Sequence, residues 1–136
     1  MARARKFKTP LSVVLLDVDN FKSVNDIHGH LVGDMVLKDL SAITSAALRA
    51  GDCIGRWGGE EFLALLPGAA LPKAAQIAER LRVNICDHDF VNTLHCTVSM
   101  GVAEMQRDDT QDSLILRADQ ALYQAKRSGK NRVACG

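Results

Sequence analysis

No apolar run in this 136-residue chain approaches the ~18 residues that a membrane-crossing helix needs. The basic start, Met-Ala-Arg-Ala-Arg-Lys-Phe-Lys, is not followed by the apolar stretch of a secretory leader. Both absences point to a cytoplasmic protein with no membrane contact from this segment. Charge of either sign is also not in excess. A formal net charge of +1 gives no global footprint for a nucleic acid polymer or an anionic lipid surface, so any nucleotide site must be built locally. The four cysteines, at 53, 86, 96 and 135, include no C-x-x-C pair, which argues against zinc. They are expected to be reduced and mostly buried. Neither G-x-G-x-x-G nor G-x-x-x-x-G-K-[ST] occurs, which excludes the usual dinucleotide and P-loop cradles. Repeats and low-complexity segments are absent too. What remains is one soluble domain of ordinary composition, long enough to bury a core.

The stretch that organises the rest runs from Asp52 to Pro67. Two strand-like runs, Cys53 to Trp57 and Phe62 to Leu66, flank Gly58-Gly59, which suits a tight hairpin turn because glycine tolerates positive φ. Two adjacent acids, Glu60 and Glu61, follow at once. Acids beside a bare glycine backbone suit the close approach of a metal-bound phosphate; an ordinary hairpin with a polar tip would read the same.

Upstream, Leu11 to Val18 is almost wholly apolar and β-branched, which predicts a buried central strand. Asp17 and Asp19 close it, two apart and so on one face if the strand persists. Asn20 to His28 predicts a short helical segment, and a longer amphipathic helix follows from Val32 to Arg49. Ala74, Ala78, Leu81 and Ile85 trace another helix after Pro67-Gly68. Leu94 to Val102 alternates as a strand does, Thr110 or Asp112 can cap a helix that stops at Gly129, and Arg132 to Ala134 makes a last short strand. The basic residues 1 to 9 read as a frayed helix end.

Carboxylates gathered in a partly desolvated place repel one another unless cations neutralise them. If the central strand and the hairpin converge, Asp17, Asp19, Glu60 and Glu61 form such a place. Oxygen donors of this kind suit Mg²⁺ or Mn²⁺, which share their shell with water and substrate phosphate. The chemistry that follows is phosphoryl or nucleotidyl transfer.

Five ordered motifs carry a resemblance: Asp17-Val18-Asp19-Asn20-Phe21-Lys22; Asn25-Asp26; Gly29-His30 with Gly33-Asp34; Gly58-Gly59-Glu60-Glu61-Phe62; and Ser99-Met100-Gly101-Val102 with Ala118-Asp119-Gln120-Ala121-Leu122-Tyr123-Gln124-Ala125-Lys126. From Pro10 to Val133 the chain resembles the GGDEF family, the diguanylate cyclases. The resemblance implies an α/β (α+β) palm-like nucleotidyl-cyclase fold: a central mixed, mainly antiparallel sheet of about five strands flanked by helices. It implies condensation of two GTP molecules into cyclic di-GMP and two pyrophosphates across a homodimer, with two Mg²⁺ or Mn²⁺ ions per site. The alternative is a silent module that binds GTP or cyclic di-GMP without chemistry; its usual mark, damage to the acidic turn or to the first aspartate, is absent. The chain also lacks the family's upstream Asp-x-Leu-Thr-Gly-Leu-x-Asn-Arg segment. Residues 1–136 are therefore expected to be a single catalytic domain without that segment or an upstream regulatory domain, and with low activity.

The resemblance also assigns roles. Asp17, the Val18 carbonyl and Glu60 would hold metal, and Glu60 or Glu61 would assist deprotonation of a ribose 3′-hydroxyl. Asp19 reads equally as structural. Asn25 and Asp34 would select guanine, whose two adjacent donors one carboxylate can accept together; Asp34 alone also suits a helix start. His30 is a ribose contact or a core hydrogen-bonding residue. Asn20, Phe21 and Lys22 would offer main-chain donors and an ammonium to the triphosphate, with Lys126 and Lys130. Lys130 stands where the family usually has Arg, which costs the forked grip and predicts weaker binding. Arg49-Ala50-Gly51-Asp52 matches the family's product-inhibition motif, and Arg80 falls where a second arginine would close it. Surface charge is the plain alternative there.

Overall fold

The computed structural model describes residues 9–136, so the expected frayed helix at the start lies outside the described residues except for Thr9. The elements, in chain order, are β1 (Leu11–Val18), α1 (Phe21–His28), α2 (His30–Ala47), β2 (Cys53–Gly58), β3 (Glu61–Pro67), α3 (Leu71–Cys86), a single 3₁₀ turn (Val91–Thr93), β4 (Val98–Glu104), α4 (Gln111–Arg127) and β5 (Val133–Cys135). The five strands form one sheet in the order β2-β3-β1-β4-β5. All pairings are antiparallel except β4 with β5, which is parallel. This is the mixed, mainly antiparallel α+β sheet that the resemblance implied.

Every residue of β1 is buried, and the reason is that both faces of the central strand are covered. Val14, Leu16 and Val18 point into a core shared with Val36 and Leu40 of α2 and Ile77 and Leu81 of α3. Val13 and Leu15 point the other way, onto Leu114, Ala118 and Leu122 of α4. A strand buried on one face would alternate; this one cannot, hence the apolar run.

α4 lies very close to the sheet. A Cβ built on Gly101 would stand 2.0 Å from the Ala118 carbonyl oxygen and 2.4 Å from the Leu122 nitrogen. Backbone cannot yield as a side-chain tip can, so only glycine fits. Thr110 starts α4 with a reciprocal cap: its Oγ1 accepts from Ser113 N at 3.1 Å and Ser113 Oγ accepts from Thr110 N at 2.9 Å.

Three local expectations shift. The turn of the hairpin is Gly59-Glu60, not Gly58-Gly59. Trp57 bulges out of the β2–β3 ladder, so Gly58 stays in β2 and pairs with Glu61. The strand expected from Leu94 begins only at Val98. Leu94 instead closes the 3₁₀ turn, donating to the Val91 carbonyl and accepting from Phe90 N. Its alternation with buried Cys96 belongs to a packed loop. Of the four cysteines, only Cys96 is buried; Cys53 and Cys135 are exposed, and all are free thiols.

Gly101→Ala should destabilise the fold by about 2–3 kcal/mol through overpacking, measured by urea denaturation. A loss below a few tenths would mean that α4 does not rest on the sheet as described.

Candidate active site

β1 runs out between β3 and β4, and the register sets Asp17 directly opposite Glu61 on one side and Ser99 on the other. Side chains directly opposite share a face, here the one toward α4, and like charges so placed repel. α4 supplies one compensating charge: the Lys126 ammonium rests on Asp17 Oδ2. Asp17 Oδ1 is buried and has no hydrogen-bond partner among the described residues. Leaving a buried acceptor unpaired costs about 1–3 kcal/mol, more for a charged group.

Asp19 is treated differently. Thr97 Oγ1 donates to it at 2.7 Å, Ser99 Oγ at 2.6 Å and the Asn131 N–H at 2.9 Å. These bonds tie the end of β1 to β4 and to the loop before β5. Of the two readings open for Asp19, they support the structural one.

The acidic turn is held against the same end. Glu60 accepts from Val18 N at 3.4 Å through its carbonyl, and the Arg56 guanidinium grips the Gly59 carbonyl. Gly59 carries a φ of 42°, the left-handed value a glycine adopts without penalty. Burial, then the charges of Asp119 and Glu60, hold the Glu61 carboxyl above its ordinary range. Burial first, and then Lys130, push Lys126 below the usual lysine range. A cleft of ≈ 620 Å³ opens here, lined by Glu61, Asp119, Tyr123 and Lys126 among others.

Among the described residues no three His, Cys, Asp or Glu side chains are gathered as a ready metal cage. What this end of the sheet offers is Asp17, with one buried oxygen free, and the acidic turn tied to it through the Val18 N–H and the Glu60 carbonyl. That set is too sparse for a closed site. It fits Mg²⁺ or Mn²⁺, which take one or two carboxylates and fill the rest with water and phosphate.

Of the residues expected to read guanine, Asn25 packs against Gly33 where α1 crosses α2. A Cβ on Gly33 would fall 1.9 Å from Asn25 Oδ1 and 3.1 Å from the Phe21 ring. Gly33 must therefore be bare for Asn25 to keep this place; Asp34, one residue on, is exposed. Phe21 itself is 8% exposed and packs in the core, so any contact it makes with phosphate is through its N–H. No side chain among the described residues caps α1; Ser23 N–H donates to the Asn20 carbonyl at 3.0 Å, which leaves the N–H groups of Phe21 and Lys22 to meet an anion. Lys130 Nζ donates to Asn20 Oδ1 at 2.7 Å. His30 is exposed at the first position of α2.

With this arrangement in view, comparison with known proteins is decisive. The family described as "Diguanylate cyclase, GGDEF domain" matches residues 1–132. The chain belongs to the GGDEF domain family. It is 43% identical over 122 residues to the diguanylate cyclase DgcM of Escherichia coli, covering 90% of this chain and 30% of that protein. With the response regulator PleD of Caulobacter vibrioides it shares 42% identity over 130 residues, covering 91% and 29%. The chain thus spans about a third of the length of these curated relatives. Among solved structures, the active GGEEF domain of a Vibrio cholerae diguanylate cyclase superposes with a TM-score of 0.93 at 37% identity, covering 98% of this chain and 87% of that one. The GGDEF domain of Caulobacter crescentus DgcB, solved in complex with c-di-GMP, also gives 0.93, at 33% identity and coverages of 98% and 82%.

A second cluster of this GGDEF domain lies at the far end of α2. The Arg49 Nε and Nη2 grip Asp52 Oδ2 and Oδ1, each at 2.9 Å, and Arg49 N–H adds a third bond at 3.0 Å. The Asp52 side chain is 1% exposed. Arg80 reaches over from α3 to the Ala47 carbonyl at 3.3 Å, two residues before Arg49, and makes no hydrogen bond to Arg49 or Asp52 among the described residues. Here, however, Arg49 and Asp52 satisfy each other, and a ligand that used both would have to open the pair.

Several neighbours were not foreseen. Asp119 and Tyr123 line the cleft with Lys126; their spacing of four and then three residues puts them on one helix face, a signal present in the sequence. Thr97, Ser99 and Asn131 gave no such signal, because each binds Asp19 from a distant part of the chain; Arg56 acts locally, on a carbonyl three residues away in its own hairpin.

Two outcomes follow for stability. Asp19→Ala should cost about 2–4 kcal/mol, because it orphans a buried network, read from chemical denaturation. Glu61 behaves in the opposite sense. Its pKa is raised, so between the ordinary glutamate value and the raised one the folded protein holds a proton that the unfolded chain releases, and stability falls as pH rises through that window. In metal-free buffer Glu61→Gln should melt higher than the parent at neutral pH and alike at about pH 3.5. Equal melting at both would mean that Glu61 carries no penalty.

Proposed function

We propose that this domain is a diguanylate cyclase that condenses two GTP molecules into cyclic di-GMP and two pyrophosphates. The observation that carries the reading is Asp17 Oδ1, buried without a partner where the acidic turn meets the end of the central strand. A fold has no use for an unpaired buried carboxylate oxygen; a cation site does. A divalent cation there would supply Lewis-acid polarisation of the attacking hydroxyl and charge neutralisation on the leaving pyrophosphate, with two per site as the family resemblance implies.

The chain's own residues do the rest. Asn25 and Asp34 take the guanine edge, where a base lacking the paired donors leaves a carboxylate unmatched. The open first turn of α1, with Lys22, Lys126 and Lys130, holds the triphosphate. Glu60 or Glu61 accepts the proton of the 3′-hydroxyl. Burial and the charges of Asp119 and Glu60 raise the Glu61 pKa, which makes its carboxylate a stronger proton acceptor than an ordinary glutamate. Each 3′-oxygen attacks the α-phosphorus of the other GTP, and each pyrophosphate leaves. One subunit holds only one of the reactants, so turnover requires a homodimer in which two sites face each other. Upstream modules would then regulate by setting that approach.

Arg49, Asp52 and Arg80 are assigned to the product. Guanine stacks on an arginine plane and offers its O6/N7 edge to the fork, while Asp52 accepts from the base. The resident Arg49–Asp52 pair is the closed form of this inhibitory site.

Incubation with GTP and Mg²⁺ at high protein concentration, with chromatography of the products, is the test. Cyclic di-GMP is expected from the parent and none above background from Glu60→Ala. GTP that binds without any product, even in an enforced dimer, identifies a silent binding module instead. Arg49→Ala should relieve inhibition by added cyclic di-GMP at least about tenfold, the scale of losing a charged hydrogen-bonding pair; inhibition that stays as strong removes the regulatory assignment.

A further inference from the structure

The loop that joins α4 to β5 is held in an unfavourable shape. Gly129, Lys130 and Asn131 follow one another with φ of 126°, 64° and 47°. Two of these residues carry a Cβ and are disfavoured in the left-handed region. Across from them Asn20 also has positive φ, 56°. Lys130 Nζ bridges to Asn20 Oδ1 at 2.7 Å, so the ammonium offered to phosphate is aimed by a backbone that would not adopt this form unaided.

Asn131 supplies the restraint. Its N–H is bonded to Asp19 Oδ2 at 2.9 Å, and its side-chain Oδ1 accepts from Arg82 Nη1 at 2.8 Å. Arg82 reaches it from α3, a separation of 49 residues in sequence. The guanidinium is pinned on its other side by Glu79, with Nε 3.0 Å from both carboxylate oxygens and Nη2 also in contact. The Arg82 side chain is only 19% exposed, unlike Glu79 at 50%, so this is more than a surface pair along one helix.

We propose that Arg82 is a positioning residue for nucleotide binding: held by Glu79, it fixes Asn131 and thereby the left-handed turn that points Lys130 at the terminal phosphates. This rests on the assignment of Lys130 to the triphosphate. The dependence is sharper here than with an arginine at 130, because a single ammonium has no second bond to keep its direction. Among the described residues the carboxamide of Asn131 is the one hydrogen-bonding link between Arg82 and the loop, so removing either end has the same consequence.

The test is calorimetric titration with Mg²⁺ and two ligands, a non-reacting α,β-methylene analogue of GTP and GMP. Parent, Arg82→Gln, Lys130→Ala and the double variant are compared. Arg82→Gln should weaken the triphosphate analogue about five- to tenfold, as for a lost charge-assisted contact, and leave GMP within about twofold. The double variant should bind the analogue no more weakly than Lys130→Ala, because both changes remove the same contact. Asn131→Gly, which deletes the acceptor while glycine keeps the positive φ, should match Arg82→Gln and serves if that variant does not fold. Unchanged affinity, additive losses, or equal losses for GMP and the analogue would each overturn the proposal. A parent that binds neither ligand would sink the substrate reading and this inference with it, and is told apart by its first titration.

Discussion

An acid pair at the end of a strand buried on both faces is the constraint to which everything else here answers. β1 cannot expose Asp17 and Asp19 without giving up its place between β3 and β4, so each carboxylate must be matched locally. Asp19 is matched by hydroxyls and a main-chain N–H, all neutral donors that also lock three segments together. Asp17 is matched on one oxygen only, by a lysine from the opposite layer, and the other oxygen has nothing. The fold thus completes one site and leaves its neighbour incomplete. That asymmetry separates a structural carboxylate from one available to a cation.

The layers on either side serve this end of the sheet in distinct ways. α4 approaches so closely that Gly101 has no room for a side chain, and this closeness brings Lys126, Asp119 and Tyr123 to the cleft. On the opposite face α1 and α2 close over Gly33, which presses Asn25 against the start of α2. Two glycines set these distances by what they lack. The loop after α4 adds a third device, a strained turn held by bonds from α3 and from Asp19. Rigid elements determine where the charges are, and bonds across the sheet determine where they point.

The distal cluster has a different character. Arg49 and Asp52 are bound to each other, and the pair raises the arginine pKa above its ordinary value, chiefly through the side-chain hydrogen bond. As it stands the pair is complete by itself, and any ligand that engaged both residues would have to offset the loss of a bidentate contact.

The sequence by itself determined the parts that depend on local pattern. The apolar run of β1, the amphipathic helices and the existence of the β2–β3 hairpin follow from neighbours within a few residues, and the ordered motifs together placed the family. The structure moved the hairpin turn one residue on and chose Thr110 over Asp112 as the cap of α4. Asp119 and Tyr123 were legible as well, on a helical face with Lys126. What only the tertiary structure decided are the relations between residues far apart in the chain. Asp19 stood open between a structural and a metal-site role until Thr97, Ser99 and Asn131 claimed it. Leu94 and Cys96 mimicked a strand because a packed loop buries residues as a strand does. No local pattern joined Arg82 to Asn131, 49 residues away. Hydrophobic period is set by one element and its own burial, whereas the partner of a buried polar group is chosen by how separate elements pack, and no local pattern encodes that choice.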